Sequence, residues 1–215
     1  MDDFAQKNLM VLLTTDKGLC GGVNSIIGRM TKTTLAKLDA SGKEYQIFMQ
    51  GEKGSSQFRR VYGDKFFAQV TDREVPYNFD LASSITSEIL GAEYDQVHIL
   101  YNKFKSAIAY IPTIKSITPM VDPNDPTLYP YEISEEDDLE ILQNFYEYTL
   151  ATEVFYAMLQ NATSEQSSRM SAMENASKNA AEMVDSLTLQ YNRARQARIT
   201  TELIEIISGA SALEG

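Results

Sequence analysis

Between Pro130 and Gly209 the chain contains neither proline nor glycine, so 78 consecutive positions, 131–208, lack the two residues that most often end a helix. Drawn as one α-helix, with a rise of about 1.5 Å per residue, that stretch would reach roughly 117 Å. An ordinary globular domain is much narrower, and a breaker-free run of this length predicts a coiled coil or a helical appendage. All six prolines and nine of the eleven glycines fall in residues 1–130. The 215 residues therefore divide into 1–130, an α/β globular domain ending in a proline-rich connector (119–130), and 131–215, a long C-terminal helix. Ser134 and Asp137 have capping-box spacing, and Glu135, Glu136 and Asp138 place negative charge where the first turn has unpaired N–H groups.

The first part alternates between two periods. Leu9–Leu13 is a short apolar run ending at Thr14-Thr15-Asp16-Lys17-Gly18, which predicts a buried strand entering a turn. Ile26, Ile27, Met30, Leu35 and Leu38 keep helical spacing from about Val23 to Leu38, and Ser41-Gly42 stops them. Tyr45–Met49 predicts a second strand and Gly51–Tyr62 a short helix. Asp80 is a candidate cap for a helix carrying Leu81, Ile85, Ile89 and Leu90. Gln96–Phe104 and Ala107–Ile117 read as paired strands about a turn at Lys105-Ser106. Strands alternating with helices imply a mostly parallel sheet with one hairpin strand at its edge.

Composition removes several classes of function. With 19 basic and 30 acidic residues the net charge is -11, which repels phosphate backbones and gives a nucleic-acid partner no support. One cysteine cannot build a disulfide framework or a multi-cysteine zinc site, and a single histidine nearly excludes metal and triad chemistry as well. No apolar run approaches the roughly 20 residues of a membrane helix, and Met1-Asp2-Asp3 has the wrong charge for a leader, so neither direct membrane insertion nor a signal peptide is expected. The loop Gly18-Leu19-Cys20-Gly21-Gly22 lies between a predicted strand and helix, where glycines often cradle phosphate. Val23-Asn24 follows where a nucleotide loop of the Walker type needs Lys-Ser or Lys-Thr, and the spacing is not a dinucleotide fingerprint. The glycines instead predict a tight turn that brings backbone close to another protein. Cys20 at a helix N-terminus could be a thiolate, but its base would have to be His98, which sits in an alternating strand as a satisfied or surface residue. No catalytic group, cofactor or metal ligand is assigned.

The final helix changes character along its length. Leu139, Leu142, Phe145, Tyr146, Leu150, Phe155 and Met158 form a bulky face suited to lying on the chain's own domain. From Met173 the positions Ala176, Ala180, Met183, Leu187, Gln190, Ala194 and Ala197 recur every three or four residues as a thin seam that needs a larger partner. No acid occurs between Asp185 and Glu202, whereas Arg193, Arg195 and Arg198 do, which suits an acidic protein surface; taken alone, the three arginines fit a merely solvated helix face equally well. Beyond this collar, Leu203, Ile204, Ile206 and Ile207 read as apolar around nearly the whole helix, which predicts enclosure by something else.

At these residues the sequence resembles the gamma subunit of the rotary ATP synthase. The resemblance is carried by 15–22 (Thr-Asp-Lys-Gly-Leu-Cys-Gly-Gly), by Ser167–Ala180, and by Leu187–Ala197 running on to Ala210. It implies a small Rossmann-like α/β domain with a mostly parallel sheet, followed by a long C-terminal helix that forms half of a coiled-coil shaft. The phrases at Glu147–Ala151 and Met173–Ala180 look more mitochondrial than bacterial, implying the matrix side of the mitochondrial inner membrane, with the cytoplasmic face of a bacterial inner membrane as the alternative.

Further expectations follow from the resemblance alone. It implies a non-catalytic central-stalk rotor, coupling a proton-driven membrane ring to conformational change at catalytic beta subunits, with no cofactor. Arg193, Arg195, Gln196, Arg198, Thr200, Glu202, Ile204 and Ile207 would face the alpha and beta subunits of the catalytic hexamer. Lys17, Gly18, Leu19 and Cys20 would lie near an acidic segment of beta. Tyr131 and Glu132 would meet the membrane c-ring, beside delta- or epsilon-type stalk subunits. Two departures stand out. The family's opening basic helix does not precede the first strand here, so either the chain is a fragment or a separate N-terminal gamma helix is an expected partner. Arg198 stands where the family has a small or apolar residue, making the basic collar heavier. The two-cysteine insertion of chloroplast members is also absent, which disfavours thiol control. Two other readings stay open: a small α/β nucleotide-binding enzyme using Gly18–Gly22, and a coiled-coil adaptor.

Overall fold

A computed structural model of the chain describes residues 4–72, 76–119 and 138–214. Two compact units divide between Ser171 and Ala172. The sequence boundary at 130/131 marks where breakers cease, whereas the compact unit extends into the long helix as far as Ser171.

In the first unit, β1 (Lys7–Leu13) lies at the centre of a five-stranded sheet of order β3-β2-β1-β4-β5. Strands β2 (Glu44–Gln50), β3 (Phe66–Val70) and β4 (Gln96–Ser106) run parallel to their neighbours toward the centre, and β5 (Ala109–Ile117) is antiparallel to β4. This is the mostly parallel sheet with an edge hairpin that the alternating pattern predicts. A central parallel strand is covered on both faces, which is why β1 reads as an unbroken apolar run. Leu9, Val11 and Leu13 face one side, with α3 (Phe79–Leu90) and the start of α4 (Asp138–Glu214) over them. Met10 and Leu12 face the other, under α1 (Val23–Ala40) and α2 (Glu52–Tyr62).

Several sequence expectations shift. β3 is an addition: Phe66, Ala68 and Val70 alternate with Phe67 and Gln69, but a half-buried edge strand of five residues gives a weak period-two signal. Asn78, not Asp80, caps α3, its Oδ1 accepting the Leu81 N–H at 2.9 Å, while Asp80 lies inside the first turn. The β4–β5 turn falls at Ala107-Ile108, two residues beyond the expected Lys105-Ser106, because β4 continues to Ser106 with a register shift after Phe104. The capping box at Ser134 and Asp137 lies outside the described residues.

Leu142, Tyr146, Leu150, Val154, Ala157 and Met158 of α4 are buried against the sheet. Their spacing of three or four residues is one helical stripe, as the bulky-face reading expects. Among the described side chains of that face Phe145 is the exception, 59% exposed one step out of phase, and Leu139 lies outside them. Fully burying a leucine- or valine-sized side chain contributes roughly 1.5–3 kcal/mol, so this stripe anchors the first third of α4 independently of any partner.

The second unit, Ala172–Gly215, is helical throughout its described length. Its large apolar residues are exposed, among them Met183 (64%), Leu187 (55%) and Ile204 (57%).

Candidate functional site: the glycine loop and the C-terminal helix

The loop after β1 is built from both of its ends. Thr14 Oγ1 accepts the Gly54 N–H at 3.1 Å, the Thr15 carbonyl accepts the Lys53 N–H at 3.0 Å, and Asp16 Oδ1 accepts the Glu52 N–H at 3.0 Å. These three acceptors satisfy donors that the first turn of α2 otherwise leaves unpaired. Gly51 makes the approach possible: at φ 102° it holds a left-handed conformation, and a Cβ there would sit 2.6 Å from the Thr14 carbonyl carbon. Asn24, in the first turn of α1, closes the other side, its Oδ1 accepting the Thr15 N–H at 3.0 Å and its amide donating to Thr15 Oγ1 at 2.7 Å.

Helix α4 then crosses the loop. Ser168 Oγ donates to the Cys20 carbonyl at 2.7 Å, and Arg169 Nη2 donates to the Gly18 carbonyl at 3.4 Å. Arg169 also pairs with Glu165, both side chains being largely buried, and donates to Gln166 Oε1 at 2.8 Å. Gly21 has φ 59°, and a Cβ on it would stand 2.7 Å from Ser168 Oγ. The close approach expected of these glycines is real, and the backbone brought near is in part the chain's own α4. Within the loop, Lys17, Gly18 and Leu19 are exposed and Cys20 is buried. Leu19 is 75% exposed at φ 60°. A left-handed leucine costs roughly 1–2 kcal/mol, so it persists only where surrounding bonds over-determine it, as they do here.

In open α/β sheets ligands bind beyond the carboxyl ends of the strands, where the strand order reverses, and in this sheet that point is between β1 and β4. Side chains of α4 already occupy it. Asn161 Oδ1 accepts from the Asn102 backbone N–H at 3.3 Å and from its side-chain amide at 3.1 Å, and Ser164 Oγ donates to the Asn102 carbonyl at 3.0 Å. The Asn102 amide also reaches the Val23 carbonyl at the start of α1, at 3.3 Å. Sequence reasoning missed Asn102, Asn161, Ser164, Ser168 and Arg169. Ser168 and Arg169 fell inside a motif noted only for resemblance, and a pairing across 59 positions between two asparagines leaves no local signal.

Cys20 and His98 do not meet. His98 is buried near the start of the sheet, its Nε2 3.0 Å from Asn8 Oδ1 and its Nδ1 2.8 Å from Ser116 Oγ, so of the two readings the satisfied one holds. Asn8 lies at the start of β1, whereas Cys20 follows its end. The Cys20 thiol lies 3.5 Å from the Asn24 amide and 3.8 Å from Thr15 Oγ1.

On the second unit, Arg193, Arg195, Gln196, Arg198, Thr200, Glu202, Ile204 and Ile207 are all exposed. A turn of about 100° per residue divides them between two faces. Arg195, Arg198 and Glu202 share one, with Arg198 Nε donating to Glu202 Oε1 at 2.8 Å. Arg193, Gln196, Thr200, Ile204 and Ile207 share the other, where Thr200 Oγ1 donates back to the Gln196 carbonyl at 2.9 Å. The same arithmetic corrects the apolar tip: Leu203, Ile204, Ile206 and Ile207 cover about 160° of the circumference rather than nearly all of it. Glu202 and Glu205 lie on the remaining side, so the tip is a broad band, not a greasy cylinder. Tyr131 and Glu132 lie outside the described residues.

A family model described as ATP synthase matches residues 2–213. The ATP synthase gamma chain of Paracoccus denitrificans is 43% identical over 217 residues, covering 97% of this chain and 74% of that one. The chain belongs to the ATP synthase gamma family. The mitochondrial F(1) complex subunit gamma of Rattus norvegicus is also 43% identical, over 97% of this chain and 77% of its own length, so bacterial and mitochondrial members are matched equally well. Among solved structures, the central stalk and c-ring of Tetrahymena thermophila mitochondrial ATP synthase aligns at 36% identity, TM-score 0.66, over 80% of this chain and 77% of the other. A Euglena gracilis mitochondrial ATP synthase structure containing OSCP, F1 and c-ring aligns at TM-score 0.79 over 97% of this chain and 73% of the other; at 20% identity it speaks for the fold alone.

Proposed function

We propose that this gamma-family chain acts mechanically and carries no catalytic site of its own. As the central-stalk subunit of an F-type ATP synthase, it turns with a c-ring inside the hexamer of alpha and beta subunits, with delta- or epsilon-type subunits beside it. The complex would lie on the matrix side of the mitochondrial inner membrane, or on the cytoplasmic face of a bacterial one. An asymmetric shaft presents different side chains to each beta subunit in turn and biases each site among its binding states by differential contact energy. The observation that carries this reading is the exposed helix of residues 172–213, with an apolar band on one side and Arg195 and Arg198 on another, in a chain of this family. Such a helix gains little alone and much inside a sleeve.

The nucleotide-enzyme alternative is disfavoured by the side chains of α4 that occupy the β1–β4 crevice. Calorimetric titration with ATP or NAD gives no heat if the shaft reading holds. In an assembled complex, Arg195→Glu with Arg198→Glu lowers coupled ATP synthesis while circular dichroism of the chain is unchanged. Losing the exposed Arg198–Glu202 pair and placing two acids four residues apart each cost the chain only about 0.3–0.5 kcal/mol, and the unchanged circular dichroism separates lost contact from lost fold. Unaltered coupling in the double variant would contradict the proposal.

A further inference from the structure

The carbonyls on either side of Leu19 are held by adjacent residues of α4: Gly18 by Arg169 and Cys20 by Ser168. The Arg169 guanidinium is fixed from behind by Glu165, one turn earlier, and by Gln166. Its side chain is only 17% exposed and that of Glu165 only 12%, so the pair works in a low-dielectric setting where charge-assisted bonds are strongest. Gly21 completes the arrangement, since a Cβ there would stand 2.7 Å from Ser168 Oγ and displace either the loop or that hydroxyl from its bond to Cys20. The exposed Leu19 side chain thus stands on a backbone clamped at both neighbours to a single turn of α4.

We propose that Arg169, assisted by Ser168, is a positioning residue that locks the Lys17–Cys20 loop to α4, so that Leu19 meets a surrounding subunit at an angle dictated by that helix. The inference rests on the reading that this loop is a contact of the shaft with the catalytic ring. A planar guanidinium can serve Glu165 and the Gly18 carbonyl together from a fixed fork, whereas an ammonium has no such geometry. Arg169→Lys is therefore expected to hold the loop only in part.

Two readouts test this. In the full chain, a nitroxide on Leu19→Cys in a Cys20→Ser background reports loop mobility; it is immobile with Arg169 and mobile with Arg169→Ala, Arg169→Lys falling between. In the assembled ATP synthase, protons pumped per ATP hydrolysed fall about fivefold with Arg169→Ala, at the lower end of ordinary coupling between sites. Ser168→Ala gives the same pattern more weakly and serves if Arg169→Ala fails to assemble. If Leu19→Ser lowers pumping but neither α4 variant alters label mobility or pumping, the latch is overturned and the contact reading stands. If Leu19→Ser leaves pumping intact, the contact reading fails, and the latch as a coupling device fails with it.

Discussion

The two parts of α4 use similar side chains to opposite ends. Between Leu142 and Met158 its apolar stripe is buried under the sheet; between Met173 and Ile207 leucines, methionines and isoleucines stand about half exposed or more. Local helix propensity does not separate them. The difference lies in what faces each stripe: the first has Val97, Ile99 and Tyr101 of β4 and the helix α3 opposite it, while within its own compact unit the second has only helix. A buried stripe stabilises the fold of one chain, and an exposed stripe of this length on a gamma-family chain is a surface awaiting other chains.

The contrast can be broken first at its strongest point. Leu150→Ala, at a fully buried position, should destabilise the full chain by about 2–5 kcal/mol in urea unfolding. Gly21→Ala comes next: the left-handed backbone and the Ser168 contact together should cost roughly 1–3 kcal/mol and loosen the loop, seen as faster hydrogen exchange at Gly18–Gly22. Tyr45 gives a pH test confined to the first unit. Burial, and secondarily Asp39, pushes its hydroxyl up to about 12 from the usual 10.0. The folded chain thus holds a proton that the unfolded chain releases sooner, so stability is intact below about pH 10 and declines as pH rises toward 12. Tyr45→Phe should flatten that alkaline decline. The smallest effect is expected at Leu187→Ala, where the exposed side chain should change stability of the free chain by less than about 0.5 kcal/mol. A large loss there would mean that the second part of the helix already buries its stripe.

How much was legible beforehand depended on range. β1 announced itself because a strand covered on both faces must be apolar at every position. The Leu142–Met158 stripe was visible as a period, although Phe145 shows that a bulky side chain one step out of phase can be mistaken for part of it. β3 was invisible because an edge strand needs little burial. Gly21 signalled a close approach, but not what approaches, since Ser168 lies 147 positions away; Gly51, 37 positions from Thr14, marked only a helix start. The plug at Asn102 and Asn161 had no sequence signal, since polar pairs across a fold leave no period. At the apolar tip, four large residues within five positions look encircling until the helical angle is counted.

Amide hydrogen exchange along α4, measured on the free chain and again within an assembled ATP synthase, reaches the heart of this picture. Protection across 142–168 should be high in both states, while 172–213 should exchange rapidly in the free chain and become strongly protected on assembly. Equal protection of both stretches in the free chain, or no gain across 172–213 on assembly, would contradict it.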